Sequence, residues 1–481
     1  MIVIGGGLAG LSSAVALAEA GHRVRLLEKR PHLGGRAASY LLPGGEHVDN
    51  CQHVTLGCCT NLEDFYRRVG AADKIRFFGR LLFADPQGRR GTMEAGALPA
   101  PLHMAASFAL FPLLGWADKF AIARALLAIA RSGGRPKDIS NDAGGMTMLA
   151  WLRRHGQTDG AIRRFWEVIL VSALDEQLDR IDARYGIDVF WKGFLSTRGG
   201  YRVGIPCVPL GELYDGCKEA IRQRGGEVLL RAGVRGFQVA GNQVTGVERE
   251  DGSLETADYY ISAVSQDILP GLLPADVTQR EPIFSNLRNL RTSPITGVHL
   301  WFDRKVMSEP FLTLLDSTTQ WVFNKTELNG ETQISGGDGD GHGTAAAAQG
   351  QYLQLVISAS YDLVPRSRQE IIEQCINELR GVLPEIRSAK LVKGTVVKET
   401  SATFSPAPGS DQWRPTQKSP LAGLFLAGDW TFTGWPSTME GAVRSGYLAA
   451  QAILSEIGQP QKFLQPDLPA EGLSRIWASK S

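Results

Sequence analysis

The chain has 481 residues, a formal net charge of +1 and 43% hydrophobic residues. That length accommodates on the order of two to three domains, and the balanced charge gives no electrostatic case for binding nucleic acid. The six cysteines, Cys51, Cys58, Cys59, Cys207, Cys217 and Cys375, form no C-x-x-C pair and no metal-ligand spacing. They read as reduced cytosolic thiols, which excludes a disulfide framework, and no signal peptide is expected before the first strand.

In chain order, Met1–Ile4 predicts a short apolar strand. Gly5, Gly7 and Gly10 follow as a G-x-G-x-x-G, then an Ala-rich helix over Leu11–Ala20, a second strand over Val24–Leu27, and Glu28 at its end. Glycine at these three places serves a tight turn, backbone approach to a pyrophosphate, and close helix–strand packing. A helix N-terminus offers free N–H groups and a favourable dipole to that anion. Glu28 accepts hydrogen bonds from ribose hydroxyls and repels a 2′-phosphate, which argues against NADP. A lone glycine motif would be an ordinary turn; strand, glycines, helix, strand and acid in this order argue otherwise. Gly34-Gly35-Arg36 then lets the backbone pass close to a cofactor and supplies a guanidinium for phosphate.

Val48-Asp49-Asn50-Cys51-Gln52-His53-Val54 comes next, with Gly57 behind it. Ala97–Ala117 contains no Asp, Glu, Lys or Arg. Its length invites a transmembrane reading, but Pro99, Pro101 and Pro112 argue against one straight span. In Asp118–Arg131 the charges Asp118, Lys119, Arg124 and Arg131 are not expected to gather on one helical stripe. Two readings of 97–131 remain: a wall of a lipophilic tunnel, or a patch dipping into a bilayer. Helices are predicted over Met148–His155, Arg163–Leu174 and Arg368–Val382, and Asp175, Glu176 and Asp179 read as a solvated acidic face. Strands are predicted near Gly225–Leu230, Asn242–Glu250, Glu255–Ser262, Thr296–Phe302 and Tyr352–Ala359. Gly336–Gly350 is low-complexity and is followed by a strand, not a helix, so it is no second nucleotide motif. Near the C-terminus, strand Leu424–Ala427 ends in Gly428-Asp429. Thr438-Met439-Glu440-Gly441 opens a helix to Ile457 with Gly458 as its cap. The residues after Gly458, with three prolines among them, read as a loose tail.

The two terminal motifs resemble those of glutathione-reductase-type flavoproteins of the amine-oxidase class. The resemblance implies an α/β fold: a discontinuous Rossmann-like FAD-binding domain (residues 1–60, 205–270 and 390–458) with an α+β substrate domain (61–204 and 271–389) and a tail (459–481). It implies that FAD is held by Gly5, Gly7, Gly10, Glu28, Gly35, Arg36, Val234 (backbone at the adenine), Gly428, Asp429 and Met439. A helix N-terminus at Met439 suits the negative charge that a reduced flavin gathers.

The segment Asp49–His53, with Arg198-Gly199-Gly200-Tyr201, Val208-Pro209-Leu210 and Trp435-Pro436-Ser437-Thr438-Met439-Glu440-Gly441, is more narrowly similar to the squalene-associated desaturase-like family, the hydroxysqualene dehydroxylases of bacterial hopanoid pathways. Cys51 departs from the Gly expected there, which leaves the shape of that loop open. The implied reaction reduces hydroxysqualene to squalene, with hydride from reduced flavin and loss of water, supplied by an electron donor that no motif identifies. His53 is the candidate general acid, with a structural loop histidine as the equal alternative. Gln52 either orients the flavin or substrate hydroxyl or bonds its own loop. Trp191, Phe194, Tyr201, Trp321 and Phe323 are tunnel or core residues, and Trp435 is the candidate substrate-pocket residue. Three alternatives stay open: a carotenoid (phytoene-type) desaturase, an amine oxidase, and a flavin-free prenyl-lipid binder of the GDP-dissociation-inhibitor type. The expected location is the cytoplasm, peripheral at the inner face of the membrane.

Overall fold

A computed structural model describes residues 1–42, 45, 47–135, 145–330 and 350–478. All of Gly336–Gly350 except its last residue lies outside them. The segments that carry the terminal motifs meet in one five-stranded parallel sheet. Its order is Glu227–Leu230, Arg25–Glu28, Ile2–Ile4, Tyr260–Ser262 and Leu424–Leu426. The central strands are short and almost wholly buried, as a parallel sheet covered on both faces requires. A three-stranded antiparallel sheet (Val234–Ala240, Gln243–Arg249, Leu254–Glu255) stands beside it.

The first helix runs Leu8–Glu19 and so starts three residues before the expected Leu11, with Gly10 inside it. Glycine is what allows this: a Cβ on Gly10 would collide with the Gly5 carbonyl oxygen. Every residue from Leu8 to Ala18 is buried. Much of that burial comes from the closing helix Met439–Glu456, which crosses it at Gly446, where any side chain would strike Ala9 and Ser12. The two motif helices, one from each end of the chain, therefore touch directly.

The second half of the molecule is built on a seven-stranded sheet ordered Leu391–Phe404, Thr292–Phe302, Gln351–Ile357, Trp321–Asn324, Phe311–Leu314, Arg80–Ala84, Arg90–Glu94. All its pairings are antiparallel except that of Phe311–Leu314 with Arg80–Ala84. Strand Leu391–Phe404 belongs to this sheet, so the last flavin-side segment joins its own sheet only at Leu424. Helix Arg368–Val382 covers one face, closed at its start by a capping box of Ser367 and Glu370. A helical group packs against the rest around Trp151, Trp166 and Phe190.

Several expectations change here. The helix expected over Arg163–Leu174 contains a wide π turn at Ile162–Trp166 before Glu167–Leu174. Asp175 and Glu176 are not a solvated face: both are buried, and only Asp179 is exposed. Asp175 accepts from the Ala359 amide at 2.7 Å and from Thr403 Oγ1 at 2.9 Å, tying the helix end to strand Leu391–Phe404 and to the bend after Gln351–Ile357. The tail is pinned, not loose. Phe463 and Leu464 amides bond Gln451, the Gln465 amide bonds Asn61, and Ser474 bonds Leu195. In 97–131, two helices form, Ala105–Leu110 and Trp116–Arg131, and no helix among the described residues is long and apolar enough to cross a membrane. Arg124 and Arg131 do share one exposed stripe, because Asp118 and Lys119 turn to other partners.

Candidate functional site

At the N-terminal end the site is made of backbone. Gly7 is the N-cap of Leu8–Glu19, and no side chain caps it, so the first-turn amides are left for an anion. Gly5 lies at φ +108°, and a Cβ there would sit 2.8 Å from the Ala263 carbonyl oxygen. The Gly34 amide donates to Gly6 O at 2.8 Å, and a Cβ on Gly35 would come within 3.0 Å of Gly7 Cα. The second glycine pair is thus laid against the first motif. Glu28 is held by the Gly6 and Arg30 amides at 2.6 and 2.7 Å. The Ala232 amide bonds Glu28 O at 2.8 Å, which brings the Val234 strand to the same corner.

At the C-terminal end the site is made of side chains. Arg36 forms an ion pair with Asp429 and donates to Ala402 O at 2.6 Å, joining the two motifs. Ser437 donates to the other Asp429 oxygen, and the Gly428 amide donates to Ser445 Oγ at 2.8 Å. Arg414, which no motif announced, is buried beneath this loop. It donates to the carbonyls of Thr431 and Trp435 at 2.7 Å each and to that of Asp429 at 3.3 Å. Met439 is half-buried at the start of its helix, with Sδ 3.9 Å from Tyr66 Oη. Its neighbour Glu440 accepts from the Asn61 and Leu62 amides and so caps the helix Thr60–Arg68.

Between the two ends, the segment Asp49–His53 rests on a buried network. Asp49 accepts from Ser39 Oγ at 2.7 Å, the Leu210 amide at 3.1 Å and Lys325 Nζ at 3.0 Å. Burial alone would raise its pKa, but Lys325 and these hydrogen bonds hold it below the usual carboxylate range. Lys325 also donates to Gln52 Oε1 at 3.0 Å, so the Gln52 amide faces this network. Asn50 reaches Arg36 O at 3.0 Å and Glu399 at 3.2 Å. Cys51 is accommodated because Gly297 stands opposite: a Cβ there would lie 3.2 Å from Cys51 Sγ. Gly57 packs on Gly199.

His53 is half-buried, and its Nδ1 lies 2.9 Å from the Cys51 carbonyl oxygen. Nδ1 therefore carries the proton and Nε2 is the ring's acceptor. Burial lowers its pKa, so the imidazole is neutral near pH 7. Trp435 is 7% exposed and lines a 330 Å³ cavity together with Trp191, Lys192, Asp188 and Asp467. Lys192 and Arg444 lie 5.0 and 5.7 Å from its ring centroid, and its Nε1 donates to Asp467 at 3.3 Å. Of the other rings, Phe194 stacks near Phe190, Trp321 donates to Ser172, Phe323 is core, and Tyr201 bonds Gly79 O and the Ala95 amide.

An uncapped helix start, glycines that clear its approach, a carboxylate at the adjoining strand end and an arginine–aspartate pair across the two motifs suit a dinucleotide such as FAD. The profile of flavin containing amine oxidoreductases matches residues 8–454.

The chain belongs to that family.

As a flavin containing amine oxidoreductase it is an FAD-dependent enzyme, which sets aside the flavin-free prenyl binder. It is 28% identical over 476 residues to the 15-cis-phytoene desaturase of Synechococcus elongatus, covering 96% of this chain and 97% of that protein. It is 28% identical over 476 residues to the zeta-carotene desaturase of Synechocystis sp., covering 94% and 96%. An oxidoreductase of known structure from Methanosarcina mazei shares the fold with a TM-score of 0.70 at 18% identity, covering 94% of this chain and 99% of that one. The names of these relatives fit the desaturase alternative better than hydroxysqualene dehydroxylase.

Proposed function

We propose that this flavoenzyme desaturates a long polyisoprene hydrocarbon of the carotenoid-precursor type. The observation that carries the reading is its similarity, along nearly the whole length of both chains, to two carotenoid desaturases. Bound FAD supplies a two-electron acceptor for hydride. Desaturation breaks two C–H bonds on adjacent carbons, one hydrogen leaving as hydride and the other as a proton. The proton needs an unprotonated acceptor. His53 meets that need: its Nδ1–H is committed to Cys51 O, and Nε2 is free of charge and able to accept. The same features suit a general acid poorly, since the imidazole holds no second proton near neutrality. The Lys325–Gln52 and Lys325–Asp49 contacts fix the loop that presents His53.

Dehydroxylation of hydroxysqualene is the second reading, favoured by the motifs Asp49–His53 and Trp435–Gly441. It needs a proton donor, and buried Asp175 is the candidate. Burial pushes its pKa well above the carboxylate range, so it can hold a proton. The deciding experiment offers the FAD-loaded enzyme phytoene with a quinone acceptor and, separately, the photoreduced enzyme hydroxysqualene under anaerobic conditions. A lengthened conjugated polyene in the first arm alone is the expected result. Squalene in the second arm alone would replace the lead with the second reading. Turnover of neither, with oxidation of an amine, would end both.

A further inference from the structure

Six of the thirteen large apolar side chains exposed among the described residues lie between Leu98 and Leu127. The most open are Leu110 at 83%, Phe120 at 71% and Trp116 at 65%. Helix Trp116–Arg131 turns one stripe outward: Trp116, Phe120, Arg124, Leu127 and Arg131, at the three- and four-residue spacing of a helix face. Its remaining charges leave the stripe. Asp118 closes the helix start on the Gly115 amide and accepts from Thr158, and Lys119 is buried with Nζ on Ala109 O at 2.7 Å.

The polar half of that stripe borders an open cleft of 370 Å³. It is lined by Arg124, Leu127, Arg131, Arg154 and His155, with Ala128 and Gly156 as floor. Arg124 is aimed across it by a bond from its guanidinium to His155 O at 2.5 Å. No carboxylate is among the described lining residues. Arg131 and Arg154 pair with no acid among the described residues, and Asp159, the acid just beyond, is taken by Arg153 at 2.7 Å.

We propose that this face docks on an anionic bilayer. Leu110, Trp116, Phe120 and Leu127 enter the boundary between headgroups and acyl chains, and the Arg124–Arg131–Arg154 cleft takes a lipid phosphate. Large apolar side chains set in line with arginines that meet no acid among the described residues are the chemistry of that boundary, where one face meets hydrocarbon and the other fixed negative charge. An apolar patch alone would suit a protein partner or a second copy equally. The cationic cleft continuous with it, with no carboxylate among its described lining residues, is what selects the lipid. The inference stands apart from the reaction proposed above and survives its failure.

The test uses the FAD-loaded full chain in flotation with vesicles of phosphatidylcholine alone or with added phosphatidylglycerol, at low and raised salt. The wild type is expected to float only with the anionic vesicles, and less at raised salt. Replacing one arginine near an anionic surface weakens partitioning about fivefold, and Arg131→Ala with Arg154→Ala about thirtyfold. Phe120→Ser with Leu110→Ser is expected to lower binding even at low salt. All these residues are exposed, so retained flavin absorbance verifies folding in each variant. The proposal is overturned if the wild type ignores anionic vesicles, or if it floats equally with every variant. It is also overturned if sedimentation shows this face closing a dimer that does not bind lipid.

Discussion

The two ends of the cofactor site are built from different materials. The N-terminal end is backbone: glycines at Gly5, Gly7, Gly10 and Gly35 bring main chain against main chain, and the one side chain that matters there, Glu28, is held by two amides. The C-terminal end is a loop whose main chain would be unsupported without Arg414, which binds four of its carbonyls from below. The difference teaches where each end is vulnerable. The first fails when any atom is added, the second when one buried cation is removed.

The largest expected effect is at Gly10. Alanine within a helix ordinarily stabilises by roughly 0.5–1 kcal/mol over glycine. Here its Cβ would meet the Gly5 carbonyl oxygen, a backbone atom that cannot move without opening the sheet. Gly10→Ala is expected to cost more than about 4 kcal/mol and to yield protein without flavin absorbance. A variant as yellow and stable as the wild type would show that the tight crossing does not set the cradle.

Arg414→Leu is the matching test at the other end. It strands the carbonyls of Asp429, Thr431 and Trp435 and is expected to cost about 3–5 kcal/mol with looser FAD, measured by urea unfolding and flavin release. Arg414→Lys should recover little, because one ammonium cannot serve carbonyls spread around a planar fork. Slightly smaller is Lys325→Met, which leaves Asp49 buried with only Ser39 and the Leu210 amide. A loss of about 3 kcal/mol is expected, largely restored when Asp49→Asn is added. If the double variant is no better than the single one, the ion pair is not what holds the loop.

The same contrast explains what the sequence disclosed. Sterically defined features were legible because their requirements are local: the glycine motif, and the helix Arg368–Val382, framed by Ser367 with Glu370 and by Leu383-Pro384. Partnerships between distant side chains were not. Lys325 meets Asp49 across 276 residues, and Arg36 meets Asp429 across 393. Nothing in the local spacing around Arg414 or Lys325 marks them. Asp175 and Glu176 looked solvated because acids after an apolar helix usually are. The partners that bury Asp175, Ala359 and Thr403, stand 184 and 228 residues further on. For Gln52 and His53 the sequence singled out the loop, but the direction of each side chain came only with Lys325 and the Cys51 carbonyl.

The smallest effect is a pH dependence under that loop. His299 is buried beside the Asp49–Lys325 pair, with Nδ1 2.7 Å from Tyr352 Oη, and burial lowers its pKa to about 4 from an ordinary 6.5. In the folded protein it stays neutral through the range in which the unfolded chain takes up a proton. Stability must therefore fall as pH drops below 6.5, and this residue's share of the loss is complete only near pH 4. Between pH 6.5 and 5.5 that share is about 1 kcal/mol. His299→Gln keeps a polar group for Tyr352 but cannot titrate, so its urea midpoint should fall less over the same interval. His53 and His103, also lowered by burial, are present in both proteins and cancel in the difference. Equal acid sensitivity in the two proteins would mean that His299 takes up its proton without unfolding. The pocket beneath Asp49 would then be wetter than its burial implies, and the side-chain network between the two ends less dry than the glycine-built part.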